Sequence, residues 1–196
     1  MMTDAQIMLQ VKNGDAEAFE QLVEKYKLPI INFCLRFSGN KDDAEDLAQD
    51  VFVRVFQAAE RYEDRAKFST WLYRIAVNLC LNHQRRKKLI TFLSLDRNHH
   101  DSSERSSDNL EALFSSSTPE REYELKEQQR LVQQAINSLP ENQKTVVILY
   151  RYHNLSYQEI AKILNISISA VESRLHRAKL NLKKRLLTVM KQTKEI

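Results

Sequence analysis

The sequence predicts an all-α protein: two small helical domains joined by a flexible linker, the C-terminal one a helix-turn-helix. Three observations carry that reading. Glycine and proline are scarce, two and three among 196 residues, which disfavours a turn-rich β fold. Apolar residues recur at helical spacing on both sides of a Ser-, Asp- and Asn-rich stretch, Leu89 to Thr118, whose apolar content is too low to form a core. Ser156 with Glu159, and Ser169 with Glu172, each match a capping box, in which the hydroxyl accepts an orphan backbone N–H and the carboxylate reaches back to the cap. The expected boundaries are 1–90 for the first domain, 91–118 for the linker and 119–196 for the second.

In chain order, a short amphipathic start leads to Asn13-Gly14-Asp15, a turn that doubles as a helix start. Phe19, Leu22, Val23 and Tyr26, then Ile30, Phe33, Cys34 and Phe37, continue one apolar stripe, with a kink or break expected at Pro29. Ser38-Gly39-Asn40 closes that helix. The next places Ala44, Leu47, Ala48, Val51, Phe52, Val55, Phe56 and Ala59 on an expected core face. Its other side carries Glu45, Asp46, Gln49, Asp50 and Arg54, by default a solvated face; acidic surface repels DNA, so a partner of this face would be a protein.

Tyr62 to Lys67 reads as a charged loop, and a helix follows from Phe68 with Leu72, Ile75, Ala76, Leu79, Cys80 and His83 as its buried stripe. Trp71 shares a side with Ile75 and reads as a core anchor. Arg74, Asn78, Asn82 and Arg85 fall on another face, and the run Arg85, Arg86, Lys87, Lys88 ends it. Guanidinium and ammonium groups hold phosphates and Asn reads base edges; the same residues also suit a soluble helix end favoured by the helix dipole. The linker, about 30 residues, reaches up to roughly 100 Å when extended. Within it, His99 and His100 lack the further Cys or His spacing of a metal site, and Leu110, Leu113 and Phe114 are available to dock on a partner.

Thr118-Pro119-Glu120 restarts a helix with proline at the first position, and Leu131, Val132, Ala135 and Ile136 supply its core face. Thr145 to Tyr152 has the β-branched and aromatic content of a strand. It is assigned to a helix because Pro140-Glu141 begins one and a lone strand has nothing to pair with. Ile160, Ala161, Ile163 and Leu164, then Val171, Leu175, Ala178 and Leu182, put apolar faces on two helices with Asn165 at the turn between them, a residue that tolerates left-handed dihedrals. That is a helix-turn-helix, whose second helix enters the major groove.

The net charge of +4 and pI near 9.0 suit a polyanionic partner. Neither G-x-G-x-x-G nor G-x-x-x-x-G-K occurs, so no phosphate cradle can form, and no metal cluster or nucleophile arrangement argues for an enzyme or a cofactor. Cys34 and Cys80, far apart in the chain and flanked by apolar residues, read as reduced core thiols of a cytosolic protein, with a redox pair as the weaker alternative. No apolar run approaches membrane-spanning length and the N-terminus lacks a signal pattern, so no membrane insertion is expected.

DAEDLAQDVFVRVF (Asp43 to Phe56), FSTWLYRIAVN (Phe68 to Asn78), the basic run after it, and LSYQEIAKILNISISAVESRLHRAK (Leu155 to Lys179) resemble, in that order, the extracytoplasmic-function (ECF) group of bacterial sigma factors. The resemblance implies a subunit that binds core RNA polymerase, recognises the minus-ten and minus-thirty-five elements of promoter DNA and opens the duplex, under control of an anti-sigma factor. It implies polymerase contact through Asp46, Gln49 and Asp50. It implies capture of a flipped minus-ten base by the loop from Ala58 to Phe68, including Tyr62 and Phe68, together with Arg74, Asn78, Asn82, Arg85 and Arg86. In the recognition helix, Ser169, Glu172, Ser173, Arg174, His176, Arg177 and Lys179 would face the minus-thirty-five element, with Glu172 either accepting from a cytosine amine or serving only its cap. The absence of a second Trp beside Trp71 implies weak melting and strict promoter demands. A polymerase-independent helix-turn-helix regulator is the alternative, although it would need neither the acidic helix nor the Phe68 to Asn78 motif.

Overall fold

The computed structural model describes the backbone of residues 2–95 and 119–193 and the side chains of residues 2–92 and 127–187. Eight α-helices occur among them, in two compact units, and no strand. His99, His100, Leu110, Leu113, Phe114 and Thr118 lie outside the described residues.

The N-terminal unit begins with α1 (Asp4–Lys12), capped by a Thr3–Gln6 capping box. Gly14, at φ +94, turns the chain, and the Asp15 side chain accepts the Ala18 N–H to start α2 (Ala16–Ser38). Gly39, at φ +70, ends α2 by returning its N–H to the Leu35 carbonyl. Asn40 then caps α3 (Lys41–Gln57), taking the Asp43 N–H at 3.1 Å. A single 3₁₀ turn (Ala59–Arg61) and a loop lead to α4 (Phe68–Leu95). All three turns lie where the sequence places them.

The core of this unit forms where α2, α3 and α4 meet. Leu22, Ile30, Phe33 and Cys34 of α2, Ala44, Val51 and Val55 of α3, and Leu72, Ala76 and Cys80 of α4 are buried. The Phe33 ring packs on Phe37 at 4.9 Å and edge-on to Tyr73 at 5.5 Å, a favoured geometry for aromatic pairs. Cys34 and Cys80 are free thiols with Sγ atoms 3.8 Å apart, so residues distant in the chain are neighbours in the core. Gln84 Nε2 donates to the Phe37 carbonyl at 2.9 Å, tying α4 to the end of α2.

Four expectations need correction. Of the kink or break expected at Pro29, the break does not occur; the proline removes one donor, but α2 continues through it with Ile30 and Phe33 buried beyond. Phe56 is 56% exposed rather than in the core, its ring 5.1 Å from Phe19 at the surface. The buried stripe of α4 is rotated to Leu72, Tyr73, Ala76, Val77 and Cys80, leaving Ile75, Leu79 and His83 half-buried. Finally, α4 runs to Leu95, past the expected end at residue 90, with Leu89, Ile90 and Phe92 exposed on the extension.

The C-terminal unit comprises α5 (Pro119–Asn137), α6 (Glu141–His153), α7 (Tyr157–Leu164) and α8 (Ile168–Thr193), with Pro119 at the first position of α5. Thr145 to Tyr152 is helical; Thr145 bonds back to the Glu141 carbonyl at 2.7 Å, which satisfies its hydroxyl inside the helix. Val146, Ile148 and Leu149 of α6, Val171, Leu175 and Ala178 of α8, and Ala135 and Ile136 of α5 are buried, whereas Val132, assigned to the core from spacing, is 41% exposed. Asn181 Nδ2 donates to Gln143 Oε1 at 2.8 Å, pinning α8 to α6.

Phe33→Ala should destabilise the N-terminal unit by about 3–5 kcal/mol, the cost of a large core deletion, read as a fall in the urea midpoint. A pH effect follows from Asp4. Burial alone raises its carboxyl pKa, but hydrogen bonds from Lys25 and Tyr26 and the Lys25 charge outweigh burial and leave it below the ordinary 3.8. A folded-state pKa below the unfolded one gives stability that is present above 3.8 and lost as pH falls through the folded value. The stability gap between wild type and Asp4→Asn should therefore close on acidification below 3.8, measured by urea titration at stepped pH.

Candidate nucleic-acid interface

The helix-turn-helix is set by its caps. Ser156 accepts the Glu159 N–H at 3.3 Å while Glu159 Oε2 accepts the Ser156 N–H at 2.9 Å, a complete capping box at the start of α7. Asn165, at φ +52, takes the left-handed conformation expected of it, and the Ile166 N–H reaches the Ala161 carbonyl at 3.0 Å to close the helix end. The second capping box does not form. Helix α8 starts two residues earlier, at Ile168, and its cap is Ser167, whose hydroxyl accepts the Ala170 N–H at 3.1 Å. The Ser169 hydroxyl lies 3.0 Å from that of Ser167. The third helical position is therefore Ala170, and Glu172 does not cap.

Val171, Leu175 and Ala178 fill the buried side of α8. Ser169, Glu172, Ser173, His176, Arg177 and Lys179 are exposed, and Arg174 is half-buried. Helical rotation puts Ser169, Glu172, Ser173 and His176 opposite the buried side, with Arg177 and Lys179 flanking them. Such a face offers hydroxyl, imidazole and carboxylate groups to base edges, and cations to the phosphates on either side. Leu180, 55% exposed, lies on the same face and escaped the sequence reading; its period-breaking position between Lys179 and Asn181 was the available signal.

On α4, Arg74, Asn78, Asn82, Arg85 and Arg86 are all exposed. The stripe from Arg74 to Arg85 covers about 16 Å along the helix at 1.5 Å per residue, long enough to follow several nucleotides. Tyr62 and Phe68 lie elsewhere: they are 1% and 2% exposed, within a cluster that includes Trp71. Ring centroids are 5.1 Å apart for Tyr62 and Trp71, 6.0 Å for Phe68 and Trp71, and 5.4 Å for Tyr26 and Phe68. In this arrangement both rings are enclosed, so stacking of a base on either one would require the cluster to open. Burial, reinforced by the charges of Asp64 and Asp4, pushes the Tyr62 hydroxyl pKa up. Trp71 is half-buried, in keeping with an anchor.

The outer face of α3 carries Asp46, Gln49 and Asp50, all exposed and one helical turn apart. Val53, 52% exposed, and Phe56 continue that face, so it is acidic at one end and apolar at the other. Spacing alone assigned Phe56 to the core stripe, and Val53 gave no signal. Among the described residues, no cluster of three or more His, Cys, Asp or Glu could hold a metal, and no helix is long and apolar enough to cross a membrane.

Residues 22–90 match the family model for Sigma-70 region 2, and residues 129–182 match that for Sigma-70, region 4. These two helical units, in this order, define a protein of the sigma-70 class. The ECF RNA polymerase sigma factor SigW of Bacillus subtilis is 37% identical over 181 residues, covering 90% of this chain and 93% of the relative. The RNA polymerase sigma-H factor of Pseudomonas aeruginosa is 31% identical, covering 96% of each. The chain belongs to the ECF sigma factors. The fold is also that of the sigma factor RpoE from Bartonella quintana, solved with the anti-sigma factor NepR: TM-score 0.66 and 23% identity over 87% of this chain and 98% of that one.

The cap assignment makes a direct prediction. Ser167→Ala should cost about 0.5–2 kcal/mol, whereas Ser169→Ala should stay within about 0.5 kcal/mol, both read from urea unfolding of the full chain.

Proposed function

We propose that this chain is a promoter-specificity subunit that joins core RNA polymerase, directs it to a defined set of promoters and promotes opening of the duplex. The observation that carries the reading is the pairing of a region 2 unit, which presents an exposed Arg and Asn stripe on α4, with a region 4 helix-turn-helix. The first unit reads the minus-ten element and the second the minus-thirty-five element. Opening is favoured when an unpaired base is captured outside the stack, because its Watson–Crick edge is hidden inside the duplex. Asn78 and Asn82 supply hydrogen bonds for such a base, while Arg74, Arg85 and Arg86 hold the strand's phosphates.

Polymerase binding is assigned to Asp46, Gln49 and Asp50, extended by exposed Val53 and Phe56. Carboxylates on one face repel DNA and suit a basic protein surface. As an ECF sigma factor, the protein has an anti-sigma factor as its expected inhibitor, and it works in the cytoplasm, where polymerase and promoter are. Its role is in binding, without catalysis of its own. A regulator acting without polymerase has no use for the α3 face. Pull-down with core polymerase and run-off transcription from the reconstituted enzyme test the reading; no stable complex and no promoter-dependent transcript would overturn it.

Asn78→Ala should lower open-complex formation more than closed-complex binding, seen as reduced permanganate reactivity of promoter thymines. Arg177→Ala should weaken minus-thirty-five binding by about 1–3 kcal/mol with relaxed base preference if it reads a base edge, or lower the salt slope by about one if it holds a phosphate. A salt titration of wild type and mutant separates the two.

A further inference from the structure

Helix α1 ends before residue 22, where the region 2 match begins, so no part of the family model covers it. It nevertheless packs into the unit. Met8 and Val11 are buried, Asp4 accepts hydrogen bonds from Lys25 and, at 2.7 Å, from the Tyr26 hydroxyl, and Tyr26 lies edge-on to Phe68. At its other end, Lys12 Nζ donates to the backbone carbonyl of Tyr62 at 3.1 Å. Tyr62 is where the 3₁₀ turn passes into the charged loop: its own N–H is taken by the Ala59 carbonyl, and Glu63, Asp64 and Arg65 beyond it are exposed.

We infer that α1 is a brace for the minus-ten loop and that Lys12, by holding the Tyr62 carbonyl, is a positioning residue for capture of the opened strand. The inference rests on the assignment of the 62–67 loop and the α4 stripe to the minus-ten element. Two features support it. The hydrogen bond joins residues fifty positions apart and fixes the backbone at the point from which the loop departs. The Tyr62 side chain below is clamped by Trp71 and Phe68, so the ammonium sets the residual freedom of the loop root. A loop held in its binding conformation avoids the ordering cost that a free loop meets on binding. An ammonium donating to a carbonyl also makes a stronger bond than a neutral donor. Lys12 acts through the loop and need not touch a base.

The test uses full-length protein assembled with core polymerase and a fluorescent single-stranded oligonucleotide carrying the minus-ten non-template sequence of a promoter mapped by start-site sequencing. Lys12→Met keeps most of the apolar stem and removes the ammonium; Lys12→Arg retains a cationic donor. Lys12→Met should weaken oligonucleotide binding about three- to tenfold, as expected for loss of one charged hydrogen bond at a partly exposed site, and Lys12→Arg should restore it. Core polymerase affinity and the salt slope of oligonucleotide binding should match wild type. A reduced salt slope in Lys12→Met would overturn the inference by making Lys12 a phosphate contact. If Lys12→Met binds like wild type while Asn78→Ala binds weakly, the brace is overturned and the minus-ten assignment stands. If neither variant weakens binding, the assignment falls and the brace with it.

Discussion

The N-terminal unit depends on α2 staying helical for its whole length. Its stripe from Leu22 through Ile30 and Phe33 to Phe37 is buried where α3 and α4 pack, and a fully buried large apolar side chain contributes about 1.5–3 kcal/mol. Because α2 occupies one face of each neighbour, the opposite faces turn outward. The acidic face of α3 and the Arg and Asn stripe of α4 are therefore exposed as a consequence of core packing.

The C-terminal unit is set by a smaller constraint, the satisfaction of helix ends. Ser156 with Glu159, left-handed Asn165 and Ser167 fix where α7 stops and α8 begins. With the start of α8 at Ile168, Glu172 is released from any cap and stands on the outward face with Ser173 and His176. A two-residue shift of the cap, from Ser169 to Ser167, thus decides whether the Glu172 carboxylate caps the helix or stands on its outward face.

Much of the architecture was legible because it rests on local signals. The Asn13-Gly14-Asp15 turn, Gly39 with Asn40, the Ser156 cap and the turn at Asn165 are short-range hydrogen-bonding patterns, and each formed in place. The misreadings share a different origin. Phe56, Val132 and the phase of the α4 stripe rest on periodicity, which gives the width of an apolar face but not how far a neighbouring helix covers it. Phe56 lies where that cover ends. For Tyr62 and Phe68, residue type and family resemblance point to base contact and say nothing of the ring cluster around Trp71 that encloses both side chains.

By itself the sequence determined the helical class, the division into two units, the region 2 and region 4 motifs and most helix ends, since all are encoded within a few residues of one another. Only the tertiary structure decided which serine caps α8, that α2 passes through Pro29 unbroken, that Cys34 and Cys80 are neighbours, and that Lys12 holds the root of the 62–67 loop. The reason is physical: the cap is a competition between two nearby hydroxyls that the local pattern does not separate, and the others depend on which surfaces, distant in the chain, pack together.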